Sequence, residues 1–205
     1  QSQGLLDVEN PTTGETISRV PLSIAAETDR AVAAARAAFP AWAATPVARR
    51  CELLWKLVQR IRDEADDLTR LVTLENGKSL PDSRAEVKRA LENTEVACGM
   101  PVLMQGDKLV GAAADIDGEV LRLPIGPFGM IAPFNFPMMV PFWFFPYALA
   151  TGNTYVIKPS EQTPLSINRV AQLVDECGFP PGVFNVVHGD RVAAAQLIEN
   201  DAIRG

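Results

Sequence analysis

LPIGPFGMIAPFNFPMMVPFWFFPYALATGNTYVI, running from Leu123 to Ile157, carries no charged side chain, and six prolines divide it: Pro124, Pro127, Pro133, Pro137, Pro141 and Pro146. The charged loop Lys158-Pro159-Ser160-Glu161 follows at once. A run of this length first suggests a membrane span, which takes about 20 apolar residues. The prolines speak against one, because each removes an amide donor and clashes with the preceding turn, at about 3 kcal/mol in a helix interior. The better reading is strand, turn, buried helix and strand inside a soluble α/β domain. Phe128 to Ala132 reads as a strand, Pro137 to Ala150 as an apolar helix closed by Gly152, and Thr154 to Lys158 as a second strand.

The alternation continues downstream. Pro164 to Cys177 reads as a helix with proline in its first turn and Gly178 beyond its end. Val183 to Val187 is a third strand, and Val192 to Glu199 opens another helix. Strands apolar on both faces, alternating with helices, predict a parallel doubly wound sheet. Such sheets bind ligands at the carboxyl ends of their strands. That rule points to Ala132 to Asn135, Lys158 to Gln162, and His188 to Asp190.

Upstream, Asn10-Pro11-Thr12-Thr13-Gly14 is a turn between two short extended pieces. Ala31, Ala34, Ala35 and Ala38 mark a helix ending at Phe39-Pro40. Leu53, Leu54, Leu57, Val58 and Ile61 line a second helix that Leu68, Leu71 and Val72 extend, with Asn76-Gly77 as its stop. A third runs from about Asp82 to Cys98. Lys108 to Ile116 and Glu119 to Leu123 read as two strands around an Asp117-Gly118 turn. A long projecting hairpin of this kind often joins subunits.

The chain has 205 residues, 47% hydrophobic and 21% charged, with a formal net charge of −6. No polybasic run is present, which argues against nucleic-acid binding. Cys51, Cys98 and Cys177 are odd in number and widely spaced, as expected of reduced thiols in a cytoplasmic protein, and each reads as a packing residue. No secretory signal is visible between Gln1 and Asn10. His188 is the only histidine, so no metal site is expected. No G-x-G-x-x-G follows a predicted strand, so the usual dinucleotide fingerprint is missing.

Four residues could carry chemistry, each with two readings. Asn135, between Phe134 and Phe136, is either an oxyanion donor or a turn residue satisfied by nearby backbone. Lys158 and Glu161 either hold ribose hydroxyls or form a solvated pair. Arg89, in Glu86-Val87-Lys88-Arg89, either grips a substrate carboxylate or lies on a solvated helix face.

Ile131-Ala132-Pro133-Phe134-Asn135-Phe136-Pro137, Gly152-Asn153-Thr154 and Lys158-Pro159-Ser160-Glu161 resemble motifs of the aldehyde dehydrogenase superfamily. Pro137-Met138-Met139-Val140-Pro141-Phe142-Trp143 and Val183-Phe184-Asn185-Val186-Val187-His188-Gly189-Asp190 are similar to the branch that makes acyl-CoA from malonate or methylmalonate semialdehyde. The resemblance implies that Asn135 is the side-chain half of an oxyanion hole. It places NAD against Ala132, Pro133 and Phe134, with its adenosine ribose on Lys158 and Glu161 and a contact from Gln162. It suggests that Arg89 binds the substrate carboxylate. The branch binds NAD without the glycine fingerprint. The implied reaction oxidises a carboxylated semialdehyde and passes the acyl group to coenzyme A, releasing carbon dioxide and giving propionyl-CoA or acetyl-CoA. The alternatives are a hydrolytic NAD(P)-dependent aldehyde dehydrogenase giving an acid, and an inactive nucleotide-binding fragment.

The family's nucleophilic cysteine lies beyond Gly205, so the chain is expected to be the N-terminal part of a longer enzyme and inactive alone. Residues 1–104 would be the helical part of the cofactor domain, 105–123 an oligomerisation hairpin, and 124–205 the first half of a Rossmann-like sheet. The expected assembly is a homodimer or homotetramer.

Overall fold

The charge-free stretch supplies the centre of a parallel sheet in the computed structural model, which describes residues 4–205. Residues 1–3, where the search for a secretory signal began, lie outside the described range. The sheet holds β5 (Pro127–Ile131), β6 (Thr154–Lys158) and β7 (Phe184–Val186) in that order, all parallel. On the far side of β5, the Arg204 N–H donates to Pro127 O and the Gly129 N–H to Gly205 O. The chain therefore passes to the opposite flank of β5, and the carboxyl end of β5 becomes the switch point of the winding.

All five residues of β6 are buried. Tyr155 and Ile157 face one apolar cluster, and Val156 faces another. The period-two alternation of a strand thus feeds two cores, one on each face of the sheet. The smaller core packs α1 (Ala25–Ala44) and α9 (Arg191–Glu199). The larger takes α2 (Val47–Asp63), α3 (Ala65–Asn76), α4 (Leu80–Ala97), α7 (Phe145–Ala150) and α8 (Leu165–Glu176). Two short helices, α5 (Met100–Leu103) and α6 (Met139–Phe142), complete the set. Separate antiparallel ribbons are formed by β1 (Leu5–Glu9) with β2 (Thr16–Pro21), and by β3 (Lys108–Ala113) with β4 (Ile116–Glu119). Among the described residues, no helix is long and apolar enough to cross a membrane.

Four local expectations are corrected. The single helix over Pro137 to Ala150 is two, α6 and α7. Pro146 cannot donate to Phe142 O and its ring crowds that carbonyl, so one helix stops at Phe142 and the next restarts with Pro146 in its first turn. The first helix runs through Pro40 to Ala44. Its last turn is held by buried Trp42, whose indole donates to Leu149 O at 3.1 Å and packs on Phe179. The second helix is broken at Glu64, whose carboxylate takes Arg169 Nε at 2.7 Å and thereby ties the break to α8. The hairpin turns at Ala114-Asp115, not at Asp117-Gly118. Gly111, at φ +70°, forms a bulge whose N–H donates to Asp117 Oδ1, and Asp115 takes the left-handed position.

Charged side chains of the helical layer end on the termini of the other elements. Buried Arg50 on α2 donates to Ala150 O at the end of α7, at 2.9 Å. Buried Glu75 on α3 accepts the Leu165 and Ser166 N–H groups opening α8, at 2.6 and 3.1 Å. Burial pushes the Glu75 carboxyl up to about 7, against the pull of those amides. The folded protein then keeps a proton there that the unfolded chain releases above about 4.5. The associated stability is complete below that value and is lost as pH rises through 7. Glu75→Gln is expected to match the parent in thermal midpoint near pH 4.5 and to gain on it progressively up to pH 8. A difference that stays flat with pH would contradict the protonated carboxyl.

Candidate active site

The loop that leaves β5, residues 132–138, is held from outside the sheet by the corner between α3 and α4. Asn76 Nδ2 donates to Phe134 O at 2.8 Å. Lys78 Nζ donates to Asn135 O at 2.8 Å and lies 4.4 Å from the centre of the Phe136 ring. The same ammonium pairs with Glu86 Oε2. Glu86 Oε1 accepts the Met138 and Met139 N–H groups at 2.8 and 3.0 Å. Glu86 exposes only 1% of its side chain and Lys78 14%, so a buried carboxylate and a half-buried ammonium are paired, and both also bond to the loop.

Asn135 itself is exposed. Among the described residues its side-chain amide makes no hydrogen bond; the loop is satisfied through the Asn135 carbonyl instead. Asn135 belongs to the wall of a cleft of about 470 Å³ that Arg89, Glu86, Phe136 and Met139 also line. Arg89 is exposed and pairs with Glu92 on its own helix at 2.8 Å. The two residues are 46 positions apart in the chain (135 minus 89), and the fold brings them to one cavity. A neutral amide donor and a guanidinium on residues bordering the same space can together hold a substrate that has a fixed carboxylate and an oxygen that develops negative charge.

The carboxyl ends of β5 and β6 form a second groove of about 310 Å³, lined by Ala132, Pro133, Phe134, Lys158, Glu161 and Asp190 among others. Lys158 is buried at its floor. Its ammonium donates to Pro159 O at 2.8 Å, Gly189 O at 2.9 Å and Glu161 Oε2 at 3.1 Å. All three protons are thus used inside the protein, tying β6 to the loop after β7. Glu161 keeps part of its carboxylate exposed. Gln162 lies elsewhere: it lines a third cleft of about 420 Å³ with Glu75, Asn76 and Thr163, on the other side of Phe134. Phe134 and Glu161 border both grooves.

Next to Lys158, His188 is held down to about 4, by burial first and by the nearby ammonium second. All three cysteines are buried and free. Burial raises each thiol, Cys98 to about 12, so none offers a thiolate.

The aldehyde dehydrogenase family profile matches residues 1–205, the whole chain. The chain belongs to the aldehyde dehydrogenase family. Malonate-semialdehyde dehydrogenase 3 of Geobacillus kaustophilus is 49% identical over 197 residues, covering 96% of this chain and 41% of that protein. A methylmalonate-semialdehyde dehydrogenase from Oceanimonas doudoroffii superposes with a TM-score of 0.96 at 38% identity, over 99% of this chain and 42% of that one. A Sinorhizobium meliloti protein described as a methylmalonate-semialdehyde dehydrogenase, crystallised with NAD, gives 0.95 at 38% identity, over 99% of this chain and 41% of that one. The chain spans about two-fifths of the length of the relatives it matches.

For this aldehyde dehydrogenase chain, the sequence reading missed the residues that carry the Asn135 loop. Asn76-Gly77 reads as a helix stop, which it is, with Gly77 at φ +80°. That reading hides the reach of Asn76 and Lys78 to the loop. Glu86 did leave a signal. Ser83, Glu86, Val87, Ala90, Thr94 and Ala97 form the buried stripe of α4, so a carboxylate falls at an apolar-face position and must find a partner.

Lys158→Met would strip its partners from two carbonyls in a buried setting. Charge-assisted bonds are worth about 1.5–3 kcal/mol each, so a loss of about 2–4 kcal/mol is expected, read as a drop in the urea midpoint. A midpoint unchanged from the parent would show that the ammonium is not engaged internally.

Proposed function

We propose that this chain supplies the oxyanion donor, the substrate carboxylate grip and the first half of the cofactor groove of an NAD-dependent aldehyde dehydrogenase acting on malonate or methylmalonate semialdehyde. The observation that carries this reading is the shared cleft of Asn135 and Arg89, with the Asn135 amide making no hydrogen bond among the described residues. The similarity to relatives named for these two semialdehydes supports the same substrate class.

Asn135 would donate to the oxygen of the aldehyde as a cysteine thiolate attacks it. Cys51, Cys98 and Cys177 are all buried, so that thiolate comes from none of them. The developing thiohemiacetal oxyanion would be held by the amide, an interaction worth about 2.7–4 kcal/mol. Arg89 would release Glu92 and pair with the substrate carboxylate, fixing which end of the molecule enters. NAD, when bound, supplies the hydride acceptor. Its fit rests on the groove at the end of β5 and β6. Phe134 and Pro133 give an apolar wall, and the free oxygen of Glu161 can accept from ribose hydroxyls. Lys158 could donate to the same ribose only by exchanging one of its internal bonds, most readily that to Glu161. Gln162 would contact the cofactor from the neighbouring cleft. Coenzyme A would take the acyl group from the thioester; release of acid in its place would mark a hydrolytic enzyme.

The β3–β4 hairpin would join subunits of a homodimer or homotetramer. It presents Leu109, Val110 and Ile116 to solvent, with Val120 and Leu121 just beyond β4, each at least half exposed, as apolar surface of the kind used between subunits.

In the full-length enzyme, Asn135→Ala is expected to lower kcat by about 10²–10³ with little change in KM. Unchanged turnover would refute the oxyanion role. Arg89→Ala is expected to lower kcat/KM for malonate semialdehyde while sparing propanal. An equal loss on both aldehydes would count against a carboxylate grip. Chromatography of the product, with and without coenzyme A, separates thioester from acid.

A further inference from the structure

We propose that the Lys78–Glu86 pair is a positioning unit that sets the direction of the Asn135 amide. The proposal deepens the reading of Asn135 as oxyanion donor and rests on it. Because the Asn135 side chain has no hydrogen-bond partner of its own among the described residues, only its main chain can aim it. Asn76 holds the Phe134 carbonyl just before it, and one ion pair holds the chain from the Asn135 carbonyl onward. The Lys78 ammonium takes the Asn135 carbonyl and covers the Phe136 ring, and Glu86 takes the amides of Met138 and Met139. Pro137, between them, has no amide to offer.

The two carboxylate oxygens divide the work. Oε1 faces the loop amides, and Oε2 faces the ammonium. A shift of Glu86 therefore moves Met138 and Met139 directly, and moves Asn135 through Lys78. Rotation of the peptide after Asn135 would swing its carbonyl off the ammonium, so the pair opposes the motion that would turn the donor away. An oxyanion donor acts only when it meets the oxygen at about 2.7–3.1 Å, and a misplacement of about 1 Å costs on the order of a hundredfold in rate. Lys78 and Glu86 line the same cleft as Asn135, and their hydrogen bonds run to each other and to the loop. Their effect on the reaction passes through the loop.

The test uses the full-length enzyme and Lys78→Gln with Glu86→Gln together, which leaves no unpaired buried charge. The expected result is a fall in kcat of about tenfold or more, with KM for aldehyde and for NAD nearly unchanged. Added to Asn135→Ala, the two substitutions should cost less than about twofold further, because residues acting through one group are not additive. A kcat equal to the parent's, or a loss that multiplies fully with that of Asn135→Ala, overturns the positioning role. Should the double variant fail to fold, Glu86→Gln alone, which keeps an acceptor for the loop amides, is read by the same criterion. Asn135→Ala with unchanged turnover would sink the oxyanion reading itself. A slow Asn135→Ala beside a fast Lys78/Glu86 variant would sink only the positioning role.

Discussion

A carboxylate with almost no exposed surface sits where α4 passes beneath the loop after β5, and the arrangement of both depends on it. Glu86 is one of three buried ionisable side chains that the helical layer sends into the α/β half; Arg50 and Glu75, the latter protonated below about 7, are the others. Each meets main-chain groups rather than leaving its charge uncompensated. Removing the partner of a buried charge costs about 3–5 kcal/mol, whereas neutral replacements of the whole pair are often tolerated. These contacts therefore act chiefly as specificity devices. In the observed docking each of the three side chains meets main-chain groups of the other layer.

That docking has a consequence at the carboxyl ends of the strands. Glu75, Asn76 and Lys78 lie within four residues of one another, and they reach the start of α8, Phe134 and Asn135 respectively. A single helix corner thus braces both edges of the region where a ligand would lie. On the far side, Lys158 performs the same service between β6 and the loop at Gly189. The apolar clusters hold the layers together, but they are non-directional. It is the directional polar contacts that place Asn135, Glu161 and Phe134 relative to each other.

Much of this was legible in the chain, and the gaps have physical causes. The strand Thr154–Lys158 and the parallel alternation could be read because β6 is buried on both faces and its residues say so. The split of α6 from α7 needed the clash between Pro146 and Phe142 O to be followed four residues back. The passage of α1 through Pro40 could not be read locally, since Trp42 finds Leu149 more than a hundred residues away. At the site, Asn135, Arg89 and Glu161 could be named from residue type, position and family resemblance. That Asn135 and Arg89 share a cleft is a fact of packing, invisible in spacing. Lys158 was read either as a ribose donor or as half of a solvated pair with Glu161; it does pair with Glu161, but it is buried, and its contact with Gly189 O comes from a loop 31 residues away that only the fold supplies.

The central claim is that the Asn135 loop and the Lys158–Glu161 turn serve one nicotinamide dinucleotide, lying across the end of β5. A crystal structure of the full-length protein with NAD tests this most directly. The expected result is an adenosine ribose against Glu161 and a nicotinamide end approaching Asn135, with Phe134 beside the path between them. Dinucleotide bound away from the carboxyl ends of β5 and β6, or with its nicotinamide remote from Asn135, would contradict the account.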